Sequence, residues 1–103
     1  GMTEQQVRAS GRKALVGKRP MERVNRAKAK GDTRGFIKVL VDAETEKILG
    51  AAIFGVGGDE AVHLLTDIMY ADVSYKVIQR AVHIHPTVSE LVPTVLGQLE
   101  PLK

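Results

Sequence analysis

The sequence predicts an α+β fold: an antiparallel sheet with helices packed on one face. Three observations point there. Phe36–Val41 is a β-branched and apolar run interrupted only by Lys38, and Ile48–Val56 is a second extended run. A polar stretch, Asp42–Lys47, joins them. After the hairpin, apolar residues recur at helical rather than alternating spacing. The order is helix, extended segment, hairpin, helix, helix, loop, helix, which suits one sheet covered by helices.

Each element has a local cause. Thr3-Glu4-Gln5-Gln6 has the form of a capping box, so a short helix is expected from Met2 to Ser10, ended by Gly11. Ala14-Leu15-Val16 is a brief extended candidate, broken by Gly17 and Pro20. Residues 21–30 read as irregular; Ala27-Lys28-Ala29-Lys30 suits a helix by propensity, but its apolar stripe is thin. Phe36–Val41 reads as a strand buried on much of both faces. Gly50, Ala51, Ala52 and Gly55 on the second strand predict a closely packed neighbour, most simply a helix.

Gly57-Gly58 should end that strand, and a helix is expected from Asp59 to Ala71. Ala61, Leu64, Leu65, Ile68 and Met69 share one face, and Asp59 and Glu60 suit the positive end of the helix dipole. Ser74 is placed to cap a short helix with Val77, Ile78 and Ala81 inward. Pro86 stops helix propagation, and Thr87 with Glu90 forms a second capping box. Val88, Leu91, Val92, Val95, Leu96 and Leu99 give the last helix an apolar face, with Pro93 expected to kink it or loosen a turn. That face suits either a core or a subunit interface.

The totals fit one domain of 103 residues. There is no cysteine, so the chain has no disulfide and no thiolate nucleophile of its own. No apolar run approaches the roughly 18 residues of a membrane span, so no membrane partner is expected. The polar start Gly1–Gln6 has no signal-peptide core, and a cytoplasmic location is the default expectation. Charge is uneven: residues 1–34 carry ten basic and three acidic groups, net +7, and residues 35–103 carry five and nine, net −4. A basic stretch suits nucleic acid, but none of its residues is aromatic, so a solvated or partner-facing surface is the simpler reading and nucleic acid is not the expected partner.

His85 with Glu90 is the strongest chemical feature. An imidazole moves protons near neutral pH, and a carboxylate on its second nitrogen fixes tautomer and orientation. The alternative is that Glu90 only completes the capping box begun by Thr87. His83-Ile84-His85, with His63, also has the form of a weak metal set, and no metal ligand is assigned from it. Gly55-Val56-Gly57-Gly58 fails as a dinucleotide loop: Glu60 stands where a glycine is needed, and the acids there oppose a pyrophosphate.

His85-Pro86-Thr87-Val88-Ser89-Glu90 resembles the C-terminal signature of the pyridine nucleotide-disulfide oxidoreductases, such as glutathione reductase, dihydrolipoamide dehydrogenase and mercuric reductase. Gly1-Met2-Thr3-Glu4 is similar to the start of that family's first interface helix. Gly35–Lys38, Asp42 and Ile48–Ala51 are similar to its central strands, and Ala81–Thr87 completes the match. The resemblance covers nearly the whole chain. It implies a single C-terminal dimerisation domain over residues 1–103, with the FAD and NAD(P) domains and the first interface strand absent. It implies a homodimer in which His85 acts as acid/base in the partner subunit's redox site and Glu90 orients it. These residues would bind no cofactor; FAD and NAD(P)H would belong to the complete enzyme, and the fragment alone would be inactive. Mercuric reductases typically lack the histidine, so its presence points to thiol-disulfide or other base-assisted chemistry. Val56 and Gly57–Ala61 look most like a bacterial subgroup of mercuric-reductase-like flavoproteins. With Pro93, they weigh against glutathione or lipoamide as substrate.

Overall fold

The computed structural model describes residues 1–21, 29, 31 and 34–103. The elements are α1 (Glu4–Ala9), β1 (Ala14–Pro20), β2 (Phe36–Asp42), β3 (Ile48–Phe54), α2 (Gly58–Ala71), α3 (Lys76–Arg80), α4 (Leu91–Leu96) and β4 (Glu100–Pro101). The four strands form one antiparallel sheet in the order β3-β2-β1-β4.

β2 is the centre of the molecule. Alternate side chains point to opposite faces. Ile37, Val39 and Val41 face a large core that also holds Ala61 and Leu65 of α2, Ile78 of α3, and Leu91, Val92, Val95 and Leu96 of α4. Leu40 faces the other way, into a small cluster with Val7 of α1 and Ala14 of β1. Three helices therefore cover one face, and the short α1 closes one end of the other. Lys38 interrupts the apolar run of β2 on the α1 side, where it is half-buried and pairs with Glu4 at 3.6 Å; the run otherwise does not alternate because most of both faces is covered.

α1 begins as its capping box requires: the Gln6 amide donates to Thr3 Oγ1 at 3.2 Å, and the Thr3 amide donates to Gln6 Oε1 at 2.9 Å. β1 is longer than its sequence suggested, because neither Gly17 nor Pro20 breaks it. Gly17 is a point of close approach: a Cβ there would lie 2.6 Å from the Val95 carbonyl oxygen of α4. Pro20 is the last residue of β1, and β4 pairs only with Leu15 and Val16, so no neighbouring strand needs its missing N–H. Met21 is fully buried and its amide donates to the Gly35 carbonyl at 3.0 Å, so the segment read as irregular begins with a core residue. The helical tendency of residues 27–30 falls almost wholly outside the described residues.

The small residues of β3 serve two neighbours, not one. Ala51 and Ile53 face the helical core. Gly50 instead admits the chain's own first residues: a Cβ there would lie 1.9 Å from the Met2 carbonyl oxygen, and the Met2 amide donates to the Leu49 carbonyl at 2.9 Å. A bulge opposite Leu40 and Val41 shifts the register at this point. β3 stops at Phe54, two residues earlier than expected, and Gly57 starts α2 at φ +73°.

α3 buries Ile78, but Val77 is half exposed and Ala81 is exposed, so only one of its three expected inward residues is inward. Five residues make little more than one turn and present a single side chain to the core. Pro93 does not kink α4. It stands third in a helix that starts at Leu91, where the amide has no intrahelical acceptor to lose. Leu99 packs on the core from beyond the helix end, and β4 follows it unannounced by any alternation.

Candidate functional site

Residues 82–84 carry no regular structure and deliver His85 to the molecular surface. The His85–Pro86 bond is cis. Thr87 locks the next turn from both sides. Its hydroxyl donates to the Ile84 carbonyl at 2.7 Å, and it accepts the Glu90 amide at 3.2 Å. Val88 is buried, with its side chain seated over Gly57, where a Cβ would lie 3.3 Å from it. Pro86–Ser89, Gly57, Glu60 and Ala61 line a cleft of about 310 Å³ behind the loop.

Glu90 performs both functions that its spacing allowed. Oε2 accepts the Thr87 amide at 3.2 Å, completing the capping box. Oε1 lies 2.6 Å from His85 Nδ1. The hydrogen bond from His85 holds the Glu90 carboxyl below its ordinary range; the Thr87 amide and the imidazole's charge act the same way, and partial burial opposes them. Glu90 is therefore a carboxylate near neutral pH and can only accept. In the neutral imidazole this places the proton on Nδ1 and leaves the lone pair on Nε2. The His85 side chain is 65% exposed and that of Glu90 is 19% exposed. The arrangement is an oriented imidazole with one nitrogen anchored and one presented outward, which can take or give a proton to a group brought against it.

The other histidines do not join this site. His63 is exposed on α2, and His83 is half-buried with Nδ1 lacking a partner among the described residues. Among the described residues, no group of three or more His, Cys, Asp or Glu side chains could hold a metal ion. The Gly55–Gly58 segment is a tight turn closed by the Gly58 amide on the Gly55 carbonyl at 3.1 Å, with Asp59 and Glu60 in the first turn of α2. These residues do not fit a dinucleotide pyrophosphate.

The basic third of the chain resolves in part. Arg12 pairs with buried Asp42 at 2.9 Å, and Lys18 lies 4.8 Å from the centre of the Phe36 ring. Arg23, Arg26, Lys28 and Lys30 lie outside the described residues. Asp42, expected as a turn residue and matched to the family's central strands, has a structural role beyond both. Its Oδ1 accepts the Glu44 and Thr45 amides at 2.8 and 3.0 Å, and these bonds and the Arg12 guanidinium lower its pKa. An aspartate two and three residues before free amides was the available signal.

The family model described as the pyridine nucleotide-disulphide oxidoreductase dimerisation domain matches residues 1–96. The chain belongs to that family, as a dimerisation domain of pyridine nucleotide-disulfide oxidoreductases. It is 36% identical over 90 residues to the probable pyridine nucleotide-disulfide oxidoreductase RclA of Escherichia coli, covering 87% of this chain and 20% of that protein. It is 41% identical over 92 residues to leghemoglobin reductase of Vigna unguiculata, covering 89% of this chain and 18% of that one. The solved structure of the HOCl-induced flavoprotein disulfide reductase RclA from E. coli superposes with a TM-score of 0.91 at 33% identity, covering 94% of this chain and 22% of the other. The chain thus spans about a fifth of the length of the curated relatives it matches. Among the described residues, no helix is long and apolar enough to cross a membrane.

Proposed function

We propose that residues 1–103 are the C-terminal interface domain of a cytoplasmic flavoprotein disulfide reductase, that the domain forms a homodimer, and that His85 and Glu90 serve the partner subunit's redox site. One observation carries the catalytic part: a carboxylate fixes Nδ1 of an exposed imidazole and leaves Nε2 open. In this reading FAD and NAD(P)H are held by other domains of the parent chain and supply the hydride and electron chemistry. The work of these residues is the movement of a proton. His85 Nε2 takes a proton from a substrate thiol or redox-site thiol of the partner as its thiolate forms. It returns that proton to the leaving thiolate in the opposite half of the exchange. Glu90 stabilises the imidazolium between the two steps and does not itself take up the proton. The reduced substrate is a disulfide or a related group.

The test is His85→Ala in the parent enzyme. Turnover should fall by about 10²–10⁴-fold, the range a positioned base supplies, with flavin content unchanged. Wild-type turnover in that variant refutes the base role.

A further inference from the structure

Positions 82–86, which carry His85, make no backbone–backbone hydrogen bond among the described residues. Glu90 is held differently. It stands in the turn that leads into α4, where the Leu91 amide donates to the Val88 carbonyl at 3.1 Å and the Val92 amide to the Ser89 carbonyl at 3.1 Å. α4 then buries Leu91, Val92, Val95 and Leu96. The carboxylate is therefore tied to the core, while the imidazole hangs from a stretch with no ladder or helix to fix it. Two hydrogen bonds cross from one half to the other. The first is the imidazole–carboxylate contact itself, at 2.6 Å. The second runs from the Thr87 hydroxyl to the Ile84 carbonyl, at 2.7 Å.

That second bond closes a ring. The Ile84 carbonyl carbon is bonded to the His85 nitrogen, so the hydroxyl fixes the peptide unit from which the imidazole departs. The same oxygen accepts the Glu90 amide, and the Thr87 amide donates to Glu90 Oε2. A carbonyl can only accept and an amide can only donate, so the hydroxyl proton has one direction. Bonds arranged head to tail in this way strengthen one another. The β-branch of threonine also restricts its χ1, which keeps the hydroxyl between its two partners. A capping threonine needs only the amide three residues on. The bond back to Ile84 lies outside any cap, and it is the one that reaches His85.

We propose that Thr87 is a positioning residue for proton transfer by His85. Its hydroxyl, held between the Ile84 carbonyl and the Glu90 amide, sets the imidazole against the carboxylate and keeps Nε2 aimed outward. This inference rests on the base role of His85 given above and names the group that fixes its aim.

The experiment compares Thr87→Val and Thr87→Ser with wild type, in the parent enzyme for turnover and in the 103-residue chain for the imidazole. Valine keeps the branched shape and the amide that meets Oε2, and deletes only the hydroxyl. In Thr87→Val, kcat should fall about tenfold or more, with the KM for NAD(P)H and the flavin content unchanged. Nitrogen NMR of the histidine rings, with His85 assigned by its loss in His85→Ala, reports the tautomer. Wild type should carry the proton on Nδ1, and Thr87→Val should show a mixture. Thr87→Ser should restore both readings. A threonine that only caps the turn would lower the melting temperature of Thr87→Val and leave tautomer and kcat as in wild type, and that result overturns the proposal. Equal damage in Thr87→Ser also overturns it, because the hydroxyl is then not the operative group. Wild-type turnover in His85→Ala, beside a mixed tautomer in Thr87→Val, ends the base reading and leaves the positioning of the imidazole standing.

Discussion

Glu90 is two residues in one, because its two oxygens answer to different partners. Glu90→Gln separates them. Glutamine also closes a capping box, so the loop should keep its shape, while the melting temperature at pH 7 should fall modestly with the lost carboxylate interaction. An amide can donate as well as accept, however, so the tautomer of His85 is no longer dictated, and turnover of the parent enzyme should fall. Equal turnover in the variant, with the loop intact by NMR, would show that the carboxylate does not orient the imidazole. The same residue sets a pH dependence. Glu90, Glu46 and Asp42 all have carboxyl pKa values lowered by folding, through His85, Lys76 and the Thr45 amide respectively. The folded state therefore binds protons less readily than the unfolded one. Their stabilisation is complete above the unfolded values of about 4 and is lost as pH falls through the lower folded values. Thermal melts between about pH 2 and 6 should show stability falling on the acid side, with a shallower fall in Glu90→Gln. The pairing of His85 with Glu90 was legible because a histidine, a proline and a capping box lie within six consecutive positions. Whether Glu90 caps the turn or holds the imidazole was not legible, because spacing cannot show which oxygen faces which neighbour.

At the scale of elements, the long signals and the capped α1 were read correctly, and several other short ones were not. β2 and α2 carry enough apolar residues to reveal their period. β4 has two residues, which is too few to alternate, and it exists because the chain returns past β1 after α4. Gly17 and Pro93 misled for a common reason: both were judged as intrinsic breakers, whereas each occupies a position where its usual cost does not apply. Gly17→Ala should destabilise the fold by about 1–3 kcal/mol, the usual cost of overpacking, because α4 offers its backbone carbonyl at the point of contact. Pro93→Ala should change stability by less than about 1 kcal/mol, since a first-turn proline breaks no helical hydrogen bond. Chemical denaturation of both variants checks the pair. A gain of about 3 kcal/mol in Pro93→Ala would restore the kinked helix that the sequence suggested.

Across the whole molecule, the class of fold and the family were both evident before any coordinate, and the distribution of burial was not. Helical cover on one face follows from the helix count. The second, smaller cluster depends on Val7, Ala14 and Leu40 meeting from three separate elements, joined at its margin by Met2 and Leu102. Neither end of the chain predicts that meeting alone. The exposed stretch from Tyr70 to Ile84 is likewise an average apolar segment in sequence, and only the packing shows that the monomer leaves it uncovered.

The pairing of Leu15 with Pro101, and the Leu102 amide on the Ala14 carbonyl at 2.9 Å, join the two ends of the chain. Closing so long a loop costs more entropy than closing the β2–β3 hairpin, and only a few apolar side chains repay it. These contacts should therefore form late in folding and open first under native conditions. Native-state hydrogen exchange should find the Leu102 amide exchanging through local opening, while the amides of β2 exchange only with global unfolding. The domain would then keep the His85–Glu90 loop and the sheet in place while the seam between β1 and β4 breathes.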